Sequence, residues 1–136
     1  MLYTRKQISE TVRNVIVDAL GVEDDDVVPN ASLISDLGAE SIDFLDITYR
    51  LEKAFTVDPN EPFKILSGEL FSQIWTQVPD PQYVAGGIIN KDGMRLIKQY
   101  HPRVEGLESE MSYHDAREKI LTVGYVEEYI QSRFNA

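Results

Sequence analysis

The chain has 136 residues, enough for one domain with a real core and too few for a second catalytic domain. Its 13 Lys and Arg against 23 Asp and Glu give a net charge of −10, which excludes binding to a phosphate backbone by bulk charge and points to basic partners. There is no Cys and there are two His, which excludes disulfides, thiolate zinc sites, a cysteine nucleophile and a three-histidine zinc centre, so any thiol chemistry must arrive on a cofactor. No apolar run approaches the roughly 18 residues of a membrane span, and the start, Met1 to Gln7, is too polar for a signal peptide; a soluble, cytoplasmic protein is expected.

The first element opens on Thr4 with Gln7 three residues later, a capping-box pattern, followed by Ile8, Val12, Val15, Ala19 and Leu20 at helical spacing and by Gly21 as a stop. Residues 22 to 40 read as a long loop, with Asp24, Asp25 and Asp26 in a row, a Pro29-Asn30 pair, and Val27, Val28, Leu33 and Leu37 as anchors to a core. A second helix starts near Ser41, where Ile42, Leu45, Thr48, Leu51 and Phe55 trace a stripe in steps of three and four, limited downstream by Pro59.

The stretch from 58 to 110 is built differently, holding five of the six prolines and five of the eight glycines. Phe63, Leu66, Leu70, Phe71, Ile74 and Val78 suggest a helix with an apolar face until Pro79 stops it. Residues 86 to 93 fit either a hairpin with an Asp92-Gly93 turn or a loop feeding a helix through Met94, Ile97 and Tyr100; the helix is preferred. A short turn from Asp115 to Ile120 then precedes a last helix capped by Thr122 and running through Val123, Val126, Ile130 and Phe134.

Between Asn14 and Tyr49 there are nine acidic residues and no Lys or Arg. Within that window Ser41 stands at the start of the second helix, where unpaired amides and the helix dipole favour an anion, so a phosphate ester on its hydroxyl would be well placed. Gly38 supplies a turn that can expose it. The bland alternative is that Ser41 only caps the helix.

The run Asp36-Leu-Gly-Ala-Glu-Ser-Ile-Asp43 resembles the attachment signature of the acyl carrier protein family, in which the Ser of a D-L-G-x-D-S-L-D pattern carries 4'-phosphopantetheine. Residues 20 to 38 resemble that family's first loop, Leu51 to Phe55 the end of its second helix, and Glu118 to Ile130 its third-to-fourth helix segment. The likeness covers roughly residues 4 to 57 and 112 to 134, with Glu40 and Ile42 replacing the usual Asp and Leu, and with Arg50 and Lys53 interrupting a helix that is usually neutral or acidic.

The resemblance implies an all-α, up-and-down bundle of three to four helices, a single carrier-like domain over residues 1–136 with residues 58–110 as an insertion inside it. It places Ile8, Val12, Val15, Leu37, Leu45, Leu51, Phe55, Val126 and Ile130 in the core, and the apolar interior is a candidate place for part of a bound acyl chain. It implies a carrier that performs no bond chemistry itself: a phosphopantetheinyl transferase moves 4'-phosphopantetheine from coenzyme A onto Ser41, and the arm's thiol holds an acyl group as a thioester. Glu40, Asp43, Asp46 and Glu52 are then the acids that meet basic patches on the transferase and on acyl-loading ligases or synthases of fatty acid, lipid or polyketide synthesis. A monomer is implied, and no nucleic acid partner.

Two rivals stand beside it: an aminoacyl or peptidyl carrier of nonribosomal assembly, and an unmodified interaction module that keeps the fold. An enzyme finds little support, since Ala39 and Asp43 occupy the glycine positions of a G-x-S-x-G elbow. The insertion is either a specialised cap or docking surface, or a satellite core covering its own apolar faces. Glu23 to Asp26 lack the ligand alternation of an EF-hand and read as a solvated loop, and His101 and His114 read as surface histidines.

Overall fold

The computed structural model describes residues 3–108 and 110–134, so Met1 and Leu2 of the polar start lie outside the described residues. The molecule is all-α apart from one small hairpin. Its elements are α1 (Arg5–Leu20), α2 (Ser41–Ala54), α3 (Gln73–Thr76), β1 (Val84–Ala85), β2 (Ile88–Ile89), α4 (Lys91–Tyr100), α5 (Tyr113–Ile120) and α6 (Val123–Phe134). No helix among the described residues is long and apolar enough to cross a membrane.

Helix α1 begins as its sequence requires: Thr4 Oγ1 accepts the Gln7 N–H at 3.1 Å, and Gln7 Oε1 accepts the Thr4 N–H at 2.8 Å. Gly21 ends it in the left-handed conformation. Its buried face, Ile8, Val12, Val15 and Ile16, packs against α2 and α6. The long loop that follows carries a 3-10 turn at Asp24–Asp26 and is fastened to the α5–α6 junction by Leu33 N–H to the Leu121 carbonyl (2.9 Å) and Val123 N–H to the Ala31 carbonyl (3.1 Å). Val27, Leu33 and Leu37 anchor the loop, whereas Val28 is exposed.

The apolar stripe of α2 is phased differently from the expected one. Phe44, Ile47, Leu51 and Phe55 face the core, while Ile42 and Leu45 are 76% and 78% exposed. The segment holds two overlapping stripes at steps of three and four, and the choice falls to the one whose Phe44 ring meets Phe71 at 4.8 Å. Leu45 is therefore a surface residue; the other expected core residues are buried.

The expected helix over residues 63 to 78 is reduced to the single turn α3, capped by Ser72. Upstream the chain stays irregular because its amides go to α2 side chains instead of to its own carbonyls: Phe63 N–H donates to Thr56 Oγ1 (3.0 Å) and Ile65 N–H to Glu52 Oε2 (2.8 Å). Gly68 at φ 80° interrupts any helical continuation. Leu66 and Val78 of the supposed apolar face lie exposed.

Between residues 84 and 100 the preferred helix forms, and the hairpin with an Asp92-Gly93 turn does not, a different hairpin preceding the helix. Gly86 and Gly87, each at positive φ, form the two-residue turn of the β1–β2 hairpin, and Asp92-Gly93 lies inside α4, which Asn90 caps. The Asp115-to-Ile120 turn is a full helix, α5, and Thr122 Oγ1 accepts the Tyr125 N–H at the start of α6 (3.2 Å). Ile65, Leu70, Phe71, Ile74, Trp75, Ile89, Met94 and Ile97 of the 58–110 stretch belong to the same continuous core as α1, α2 and α6. They do not form a separate satellite.

Candidate functional site

Ser41 is the first helical residue of α2, and the cap is Glu40 before it. The Asp43 carboxylate accepts the Glu40 N–H at 2.8 Å, and Asp43 N–H donates to the Glu40 carbonyl at 2.9 Å. The helix start is thus closed by the residues on either side of Ser41. Among the described residues its exposed hydroxyl has no hydrogen-bond partner, which sets aside the bland role of helix cap. Gly38 turns the chain just upstream at φ 74°.

The four acids expected beside Ser41 divide in the structure. Glu40 is exposed, and Asp43 is engaged in the cap. Asp46 is paired with Arg50 at 2.9 Å across one turn. Glu52 is engaged elsewhere, its carboxylate accepting the Ile65 amide. Ser41, Glu40 and Asp43 are brought together at the helix start; Glu52 lies three turns further along.

Ser41 and Glu52 both line an open groove of about 810 Å³ between α2 and the chain from Ile65 to Gln77. Its walls include Phe44, Leu45, Thr48, Leu66, Leu70 and Phe71. A smaller cavity of about 450 Å³ adjoins it and shares Ser67, Gly68, Gln73 and Gln77. Groove volumes of this order suit a small-molecule or flexible-arm ligand.

The Ile65–Gln77 wall of the groove is held from behind by three tyrosines of α5 and α6. Tyr113 Oη donates to the Ile74 carbonyl (2.6 Å), Tyr125 Oη to the Leu70 carbonyl (2.7 Å) and Tyr129 Oη to the Glu69 carboxylate (2.8 Å). Burial raises the Tyr113 and Tyr125 hydroxyls above their ordinary range and, with the Glu69 bond, pushes Tyr129 up to about 12, so all three stay protonated donors at neutral pH.

His101, expected at the surface, is buried in the same wall. Its Nε2 accepts from Trp75 Nε1–H at 2.9 Å, which leaves the proton on Nδ1, 2.9 Å from Tyr125 Oη. A chain of donors then runs Trp75 to His101 to Tyr125 to the Leu70 carbonyl. Burial lowers His101 to about 4. The polar, proline-flanked local sequence gave no sign of this, because both ring partners come from distant segments. His114 is exposed, and no cluster of potential metal ligands occurs among the described residues.

A phosphate-linked arm fits these residues: the Ser41 hydroxyl is exposed and, among the described residues, unpartnered, and a groove opens beside it. No solved structure matches the chain. Residues 10–62 match the protein family described as phosphopantetheine attachment site, a span that includes Ser41, Asp43 and Glu52. Domains of this kind are attachment sites of 4'-phosphopantetheine and work through partner enzymes such as transferases and synthases. That match spans 53 of the 136 residues, and over it the chain is similar to the phosphopantetheine attachment family.

Proposed function

We propose that this protein is an acyl carrier whose arm is esterified to Ser41 Oγ. The observation that carries the assignment is the unpartnered Ser41 hydroxyl at the start of α2, on the wall of the groove. Transfer forms an oxygen–phosphorus bond at Ser41 and breaks the pyrophosphate bond of coenzyme A. The nucleotide half leaves, and the Ser41 proton passes to the transferase or to solvent. When attached, the arm supplies the thiol that this Cys-free chain lacks and holds cargo as a thioester.

The chain's own residues present and select. The Glu40–Asp43 cap holds the backbone at Ser41, and the helix N-terminus favours the phosphodiester charge. Glu40 and Asp46 offer acidic contacts to the basic docking patches of a phosphopantetheinyl transferase and of acyl-loading ligases or synthases. The apolar walls of the groove support acyl over peptidyl cargo. Residues 58–110 are an insertion within a single carrier-like domain, and no bond chemistry is assigned to the protein itself.

The test is to locate the modification. Because no Lys or Arg occurs between Asn14 and Tyr49, trypsin leaves Ser41 on one peptide from Asn14 to Arg50. Fragmentation of that peptide after incubation with coenzyme A and a broad-specificity transferase is expected to place the added mass on Ser41. Mass on Ser32 or Ser35 would contradict the assignment.

A further inference from the structure

The groove beside Ser41 lies outside the helical interior, against the insertion, and has a distinctive charge pattern. Neither compartment is lined by any Lys, Arg or His; each has one carboxylate, Glu52 in the larger and Asp80 in the smaller. Glu52 is not a loose surface acid, since the Ile65 amide fixes its Oε2 at 2.8 Å. The nearby cation Lys53 sits over the Tyr49 ring at 5.0 Å and does not line the groove. Leu45 and Leu66, on opposite walls, are 78% and 72% exposed.

We propose that the groove between α2 and the Ile65–Gln77 segment is a cargo site selective by charge, taking a neutral aliphatic acyl chain and rejecting one that ends in a free carboxylate. An aliphatic chain laid between Leu45, Leu66 and Phe71 removes their apolar surface and its own from water. A terminal carboxylate in the same place meets no cation and faces the fixed Glu52 charge, so it stays in solvent. Glu52 is on this account a specificity-determining residue of the carrier, and the insertion supplies the second wall of the site. The proposal rests on attachment at Ser41.

The test uses the full chain loaded by a broad-specificity transferase with octanoyl-coenzyme A or succinyl-coenzyme A, each product checked by intact mass. Backbone amide shifts are then compared with those of the protein carrying the unacylated arm. The octanoyl form is expected to shift Leu66, Gly68 and Gln77, and the succinyl form to leave them in place. If the chain spends about nine-tenths of its time in the groove, hydroxylamine cleaves the octanoyl thioester about tenfold more slowly than the succinyl one. Leu66→Glu, at an exposed position, is expected to abolish the octanoyl shifts, and Glu52→Gln, which keeps an acceptor for Ile65, to let succinyl cargo shift the same amides. Loading without shifts at 65–77, or equal shifts from both cargoes, overturns the groove proposal alone. Failure of both donors to add mass overturns the Ser41 assignment and takes this proposal with it.

Discussion

The Asp43 carboxylate accepts the Glu40 amide at 2.8 Å, bridging over the serine between them. Helix α2 is thereby capped without using Ser41, whose hydroxyl is left exposed and without a hydrogen bond among the described residues. Two opposite outcomes follow. Asp43→Ala is expected to destabilise the protein by about 1 kcal/mol through the lost cap, read as a shift in the urea midpoint. Ser41→Ala is expected to change it by less than about 0.5 kcal/mol, since no hydrogen bond is removed.

The phase of α2 gives a second contrast. Ile47 is fully buried and Leu45 is 78% exposed. Ile47→Ala is expected to cost about 2–5 kcal/mol, and Leu45→Ala less than about 0.5 kcal/mol, in the same unfolding measurement. Equal losses would mean that the helix presents its other stripe.

This is also where the sequence was least informative about the fold. Ends and caps were legible: Thr4 with Gln7, Gly21 and Thr122 all act locally, and the structure uses each as expected. The face of α2 was not, because Ile42 and Leu45 satisfy helical spacing as well as Phe44 and Ile47 do. The choice is made by Phe71, far along the chain. The irregular course of residues 57 to 72 was equally hidden, since it depends on Thr56 and Glu52 capturing amides that a helix would have kept. For the candidate site, the run around Ser41 singles out that hydroxyl and its acidic neighbours as candidates, whereas the groove and the buried His101 depend on contacts between segments that no local pattern encodes.

His101 makes stability pH-dependent. Its folded value near 4 lies below its ordinary 6.5, so the unfolded chain binds more protons between the two. The contribution is present in full above about pH 6.5 and is lost as pH falls toward 4, up to roughly 3 kcal/mol. Protonation also puts a hydrogen on Nε2, which faces the Trp75 donor. Trp75 is the only tryptophan, so the emission of the folded protein is expected to shift to the red near pH 4, at the acid end of the stability loss. His101→Gln is expected to flatten the stability curve between pH 6.5 and 5 and to remove the red shift near pH 4; an unchanged stability slope would contradict the assignment.

The tyrosine grip on residues 69–74 predicts a further effect. Tyr125→Phe removes the donor to the Leu70 carbonyl and the partner of His101 Nδ1, leaving two buried polar groups unmet. A loss of about 1–3 kcal/mol is expected, with faster amide hydrogen exchange in residues 69–75 than in α1. A uniform change across the chain would argue against a local grip.

Docking by charge is testable without disturbing the cap. Glu40→Lys with Asp46→Lys is expected to slow transferase modification at low salt by about tenfold or more while helical circular dichroism stays the same. Arg50→Gln, which releases Asp46 from its pair, is expected to act in the opposite direction, and added salt to shrink both effects. Rates indifferent to all three changes would remove α2 acids from recognition.

The central claim is tested most directly by intact mass. The purified protein and its Ser41→Ala variant are each incubated with coenzyme A and a broad-specificity transferase. The wild-type chain is expected to gain one phosphopantetheine and the variant none. A folded wild-type protein that gains no mass, or a variant that gains it equally, would contradict attachment at Ser41.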